Sequence, residues 1–163
     1  EGDIFHLEKI TAKFDYVLAE AILTMHSNTG KVKILSAIKN FLKPNGKFLS
    51  HEMSVWNNQS QVRKSLSQTI RVNANPLTLT EWKKVCQEAG LTLEQQQTGK
   101  MGLLNFGQMI RDEGLLGTVQ ILWNVLSNHN LRQRILQMRR NFQQQRHNIR
   151  YIVFWAKILT VNS

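Results

Sequence analysis

The sequence predicts an α/β protein built on a largely parallel sheet, and three observations carry that prediction. Phe14-Asp-Tyr-Val-Leu-Ala-Glu20 is a nearly continuous apolar run of strand length. A helical stripe follows it, and Pro44-Asn-Gly46 then leads into a second apolar run, Lys47–His51. Strand, helix and strand in that order form the repeating unit of a parallel sheet, because parallel neighbours need a long crossover. Near the far end, Tyr151–Leu159, reading YIVFWAKIL, returns to strand character and would finish the sheet.

The run 14–20 has the apolar density of a strand buried on both faces. Asn28-Thr-Gly30 punctuates the chain, and Val32, Leu35, Ile38 and Phe41 recur at helical spacing with Lys31, Lys33 and Lys39 off that stripe. Pro44 cannot continue the helix and Asn45-Gly46 tolerates positive φ, so a turn is expected there. Residues 54–75 are polar around Val62, Leu66 and Ile70, which predicts a surface helix and loop of low order. Thr80 is the expected N-cap of a helix carrying Glu81 in its first turn, with Trp82, Val85, Cys86 and Ala89 on its apolar side and Gly90 as the stop. Leu91–Gln97 alternates apolar and polar residues early on, as a strand nearer the sheet edge does. In the segment 104–146, Leu115, Val119, Leu122 and Leu126 repeat at one helical spacing, and Leu131, Ile135, Met138 and Phe142 repeat it again. Two amphipathic helices joined at Asn128-His-Asn130 are expected, inserted as a hairpin before the last strand.

With 163 residues the chain is read as one domain, 1–163. Its apolar content of 42% against 20% charge excludes a disordered chain. The lone Cys86 cannot make an internal disulfide, so nothing implies an oxidising compartment, and its helical pattern marks it as a buried apolar residue. No apolar run is long enough for a membrane helix, and the acidic start does not resemble a signal peptide; a cytoplasmic protein is the expectation. A chain opening at Glu1 without methionine reads as a processed product or fragment. The net charge of +10 is concentrated late, since residues 104–163 hold eight Lys/Arg against two acids and no acid follows Glu113. That tail is either a solvated arginine-rich helix face or a surface for an acidic partner or RNA. Only Phe142 is interleaved among its arginines for base stacking, so nucleic acid is a weak reading.

The wording of Gly2-Asp3-Ile4-Phe5, Phe14–Met25 and Leu42-Lys-Pro-Asn-Gly-Lys-Phe-Leu-Ser-His-Glu52 resembles class I S-adenosylmethionine-dependent methyltransferases, over roughly residues 2–159. The resemblance implies a partial Rossmann-like sheet holding strand positions 4 to 7 of that fold, the last strand antiparallel, with 104–146 as a helical lid. It implies S-adenosylmethionine as cofactor and a small molecule as methyl acceptor. By the same resemblance Asp3 and Ile4 meet the adenine ring, while Ala19, Glu20 and Ala21 line the pocket for the amino-acid end and reactive methyl. Met25, His26, Glu52 and Phe106 then face the acceptor, with Glu20, His26 and Glu52 as candidate catalytic groups. A His and two carboxylates on one rim could deprotonate a nucleophile; spacing for a metal site is absent.

The chain departs from the family in one large respect: no G-x-G occurs anywhere, so the Gly-rich cofactor loop is missing. The resemblance therefore implies the carboxyl-terminal part of a catalytic domain, inactive alone. The fourth-strand position would then expose an unpaired apolar edge, inviting a missing amino-terminal half or self-association. The rival reading is a non-catalytic module holding an acidic partner or RNA through its basic helices.

Overall fold

The computed structural model describes residues 10–57, 59–70, 74–101 and 127–159, together with Arg111, Gly114, Gly117 and Gln120. Four strands, β1 (Phe14–Glu20), β2 (Leu42–Val55), β3 (Leu91–Lys100) and β4 (Ile149–Ile158), form one sheet in the order β1-β2-β4-β3. β1 and β2 run parallel, joined by helix α1 (Asn28–Phe41); β4 is antiparallel to both of its neighbours. The mixed α/β sheet expected from the sequence is present, with its last strand antiparallel and Leu91–Lys100 at an edge.

Helix α1 and helix α3 (Leu79–Glu88) cover one face of the sheet. Ile34, Leu35 and Ile38 from α1, and Trp82, Val85 and Cys86 from α3, meet Ala19, Phe48, Ile152, Phe154 and Ala156 from the strands. Phe154 sits at the centre, edge-on to Phe48 at 6.0 Å and tilted against Trp82 at 5.6 Å. Burial pushes the Cys86 thiol up to about 12, so it is an inert core residue.

Helix α2 (Gln59–Ile70) is better anchored than its polar composition suggests. Val62 and Leu66 are buried with Met53, Val55, Ala74 and Ile149 in a second cluster at the carboxyl end of β2. Helix α4 (His129–Gln145) packs beside α2 and accounts for the second half of the expected hairpin. The first half lies almost wholly outside the described residues.

Two local expectations are corrected. Pro44-Asn45-Gly46 is not a separate turn but an irregularity inside β2, where the register jumps between Phe14 and Tyr16. Gly46 is needed for proximity rather than for φ, since a Cβ there would stand 2.8 Å from the Phe14 carbonyl oxygen. The cap of α3 is Thr78, two residues earlier than Thr80. Its hydroxyl accepts from Glu81 N–H at 3.3 Å while the Glu81 carboxylate accepts from Thr78 N–H at 2.8 Å, a reciprocal capping box.

Candidate functional site

Ligands of open α/β sheets collect at the carboxyl ends of the parallel strands, here Glu20 of β1 and His51 of β2. The two are register partners on adjacent strands, so their side chains emerge side by side on one face. His51 Nδ1 lies 3.5 Å from Glu20 Oε1, and both side chains reach solvent, 47% and 74% exposed. Tyr151 of β4 stands edge-on to the His51 ring at 5.7 Å. The Tyr151 ring lies across Gly99 of β3, where an added Cβ would come within 2.5 Å of it. A glutamate, a histidine and a tyrosine thus stand along the carboxyl end of the sheet.

Directly after Glu20, Ala21 adopts a left-handed φ of 55°, the only positive φ found at a non-glycine among the described residues. Such a conformation costs on the order of 1–3 kcal/mol and persists only where its surroundings impose it. Here the Ala21 N–H donates to the His51 carbonyl at 2.8 Å, and the chain then turns through a short 3-10 helix, Leu23–Met25. Ala19 is buried against the core, and the small side chains at 19 and 21 leave the backbone at this corner uncluttered.

The turn is held from beneath by Glu52. Adjacent residues of a strand point to opposite faces, so Glu52 enters the protein where His51 leaves it, and it is 2% exposed. Its carboxylate accepts from Leu23 N–H (3.0 Å), Thr24 N–H (2.8 Å), the Thr24 hydroxyl (2.6 Å) and the Ser50 hydroxyl (3.2 Å). The expectation that Glu52 faces an acceptor on the rim is therefore corrected: its oxygens are engaged by the backbone they position. Lys31 is the second internal brace, fully buried, with its ammonium donating to the carbonyls of His26 (2.5 Å) and Asn75 (2.8 Å). Burial lowers it to about 8, with Glu52 pulling the other way and Arg63 adding to the drop. The Asn75 N–H donates to the Thr24 carbonyl at 2.8 Å, so the segment entering α3 is fastened to the same turn.

Glu81 secures that segment from the other side. Burial alone would raise its carboxyl, but the Thr78 N–H and hydroxyl and the Arg63 guanidinium outweigh it and hold the group below its usual value. Arg63 also donates to the Pro76 carbonyl at 3.1 Å.

Of the sequence-predicted site residues, the structure brings Ala19, Glu20, Ala21, Met25 and His26 to one corner, Met25 and His26 half-buried in the turn. Asp3, Ile4 and Phe106 lie outside the described residues. Lys31, Ser50 and Tyr151 were not singled out from the sequence; Gly99, which the structure places inside β3, is the one sign of a close approach beside Tyr151. Among the described residues no group of His, Cys, Asp and Glu could hold a metal ion, and no helix is long and apolar enough to cross a membrane. A groove of about 460 Å3 adjoins this corner on the sheet face opposite α1 and α3, between Leu49, Gln95, Gln97, Val153 and Trp155, Val153 being the register partner of His51. The strained backbone at Ala21 marks the strand-end corner of this face as the candidate site.

Residues 1–108 match the family described as a methyltransferase domain. An uncharacterised protein of Haemophilus influenzae is 35% identical over 140 residues, which are 85% of this chain and 55% of that protein. The chain thus spans about half the length of the curated relative it matches. Solved structures of similar fold include the MccD protein (18% identity, TM-score 0.69, covering 96% of this chain and 65% of that one). The cyclopropane synthase MmaA2 of Mycobacterium tuberculosis aligns at 13% identity and TM-score 0.64, over 92% of this chain and 57% of that one. A phosphoethanolamine N-methyltransferase of Haemonchus contortus, solved with phosphomonomethylethanolamine and S-adenosylhomocysteine, aligns at 16% identity and TM-score 0.63, over 97% and 36%.

Proposed function

Since the chain belongs to the methyltransferase-domain family, we propose that it takes part in S-adenosylmethionine-dependent methyl transfer to a small-molecule acceptor in the cytoplasm. The observation that carries this reading is the corner at the end of β1, where Glu20, the left-handed Ala21 and His51 converge beside an uncluttered backbone. The donor set suits the cofactor's amino-acid end: an exposed carboxylate for a cation, and small residues permitting close approach. Asp3 and Ile4 hold the adenine in this reading, and Met25, His26 and Phe106 border the acceptor.

When bound, the cofactor supplies an electrophilic methyl on a sulfonium, displaced in line with loss of a neutral thioether. The residues of this chain align the partners and exclude water, which is the larger part of the rate for such a displacement. Glu20 attracts the positive charge and orients His51 through Nδ1. The remaining ring nitrogen of His51 is then the group placed to accept a proton from an acceptor hydroxyl or ammonium. Glu52 and Lys31 contribute by keeping the 21–26 turn rigid, so that ligand binding does not have to order it.

Calorimetric titration with S-adenosylhomocysteine tests the reading. Saturable binding weakened by about tenfold or more in Glu20→Ala, as loss of a charge-assisted contact requires, supports it. Binding indifferent to Glu20 and Ala21 refutes it. Salt-sensitive binding to a polyanion in its place would favour the rival reading of a basic interaction module.

A further inference from the structure

We propose that Arg150, Lys100 and Trp56 form an oxyanion-binding site at the far end of the sheet, and that the group it takes is a phosphoryl dianion. The site goes beyond the proposed methyl transfer and stands whether or not the chain takes the cofactor.

Register places the two cations side by side. Lys100 of β3 pairs with Arg150 of β4, so both side chains leave the sheet on one face, the face that Arg150 shares with Ile152 and Phe154. Ile152 is fully buried and Arg150 half-buried, so this row passes from core to surface between them. Like charges directly opposite on neighbouring strands repel, and a carboxylate beside them is the ordinary remedy. Among the described residues, neither Lys100 nor Arg150 is paired with one. Glu52, on the same face of β2, is occupied by the Leu23 and Thr24 N–H groups. Arg146 adds a third cation just ahead of β4, its Nε donating to His147 Nε2 at 3.0 Å.

The setting of Arg150 identifies the ligand chemistry. Its guanidinium carbon lies 4.5 Å from the centroid of the Trp56 ring, a contact that holds the head without using a donor. Its Nε–H is buried and has no acceptor, although buried donors are ordinarily satisfied. Ser54, its register partner on β2, turns its hydroxyl to the Leu77 carbonyl at 2.8 Å. A guanidinium held by a ring instead of a carboxylate keeps its planar fork for an outside acceptor, and a phosphoryl group meets such a fork with two parallel bonds. Two neighbouring cations suit a dianion better than a singly charged carboxylate. Trp56 is 59% exposed, which leaves apolar ring surface beside the fork for the body of a phosphate monoester.

The position agrees with that use. Trp56 directly follows the end of β2, and ligands of open α/β sheets gather where parallel strands end. Arg150 stands three positions from Val153, the register partner of His51. The site is therefore about 10 Å along the sheet from His51 and on the opposite face, separate from the corner at Glu20.

The test is calorimetric titration of the full chain, in a buffer free of oxyanions, with inorganic phosphate, phenyl phosphate and acetate. Saturable binding of both phosphates is expected, with acetate weaker by about tenfold or more. Arg150→Gln and Lys100→Gln should each weaken phosphate binding by about tenfold or more. Arg150→Lys should recover only part of the loss, since it restores charge without the fork. Lys84→Gln, on the exposed side of α3, should change nothing. Thermal unfolding checks each variant; Lys100 is exposed, so its variant carries the test if Arg150→Gln does not fold. Tighter binding of phenyl phosphate, lost in Trp56→Leu, identifies a monoester as the ligand, and equal affinities identify free phosphate. No saturable binding by the folded chain, acetate binding as tightly as phosphate, or phosphate binding unchanged in both glutamine variants would overturn the proposal. So would binding of a polyuridine oligomer without binding of either phosphate, which would make the patch a nucleic-acid surface. Titration with S-adenosylhomocysteine reads the corner separately, and Arg150→Gln should leave that result as it is.

Discussion

Replacing Lys31 by methionine isolates the energetics of the brace beneath the candidate site. At neutral pH the ammonium is held at zero exposure by two carbonyls, those of His26 and Asn75. Removing it relieves the cost of burying a charge but orphans both acceptors, at roughly 1–3 kcal/mol each. The folded-state value of about 8 against the ordinary 10.5 sets the relief at about 3 kcal/mol, from 1.36 kcal/mol per unit. The two effects nearly offset at pH 7. They separate above it. Because the folded value lies below the unfolded one, the unfolded chain binds more protons between pH 8 and 10.5, and stability rises with pH across that window. This contribution is complete above pH 10.5 and is lost as pH falls through 8. Urea unfolding of both proteins at steps from pH 7 to 11, followed by tryptophan fluorescence, measures it. Native protein should gain about 3 kcal/mol over Lys31→Met across the window, since the other lysines and tyrosines titrate in both. Parallel stability curves would show that the ammonium is not confined as described.

Glu52→Ala leaves the Leu23 and Thr24 N–H groups and two hydroxyls without their acceptor, so thermal unfolding should show a loss of about 3 kcal/mol or more. A rim carboxylate would cost almost nothing to remove. Glu81, held below its usual carboxyl value, contributes stability that is present above about pH 4.5 and lost as pH falls through its lower folded value. Glu81→Gln should therefore flatten the acid limb of the stability profile, and an unchanged limb would count against the capping box. Gly99→Ala drives a methyl into the Tyr151 ring and should destabilise by about 1–3 kcal/mol; Tyr151→Ala in the same chain should restore most of it, a coupling that a double-mutant cycle reads directly.

The sheet was legible because its signals are local. A strand-length apolar run and a 3.6-residue stripe need no knowledge of distant residues. Of the candidate corner, only the strand-end position of Glu20 could be read from the sequence. Placing Glu52 on the rim overlooked strand alternation, which sends His51 out and Glu52 in. Lys31 reads as a solvated lysine because it lies off the apolar stripe of α1; the segment around Asn75, 44 positions away, covers it, and no local pattern carries that information. Ala21 is opaque for the opposite reason: alanine has neither glycine's freedom nor a polar side chain to favour positive φ, so its conformation follows from the surrounding hydrogen bonds and not from its own preference.

The position of β4 has a consequence for how the protein is made. Its partners in β2 are roughly a hundred positions earlier in the chain, whereas β1, α1 and β2 are consecutive and can assemble among themselves. Closing so large a loop is slow compared with forming the local unit. One of the two inner strands of the sheet is therefore the last to be laid down. Until it arrives, β2 and β3 each present an open edge, and that interval is when chaperone capture or misassembly competes with folding.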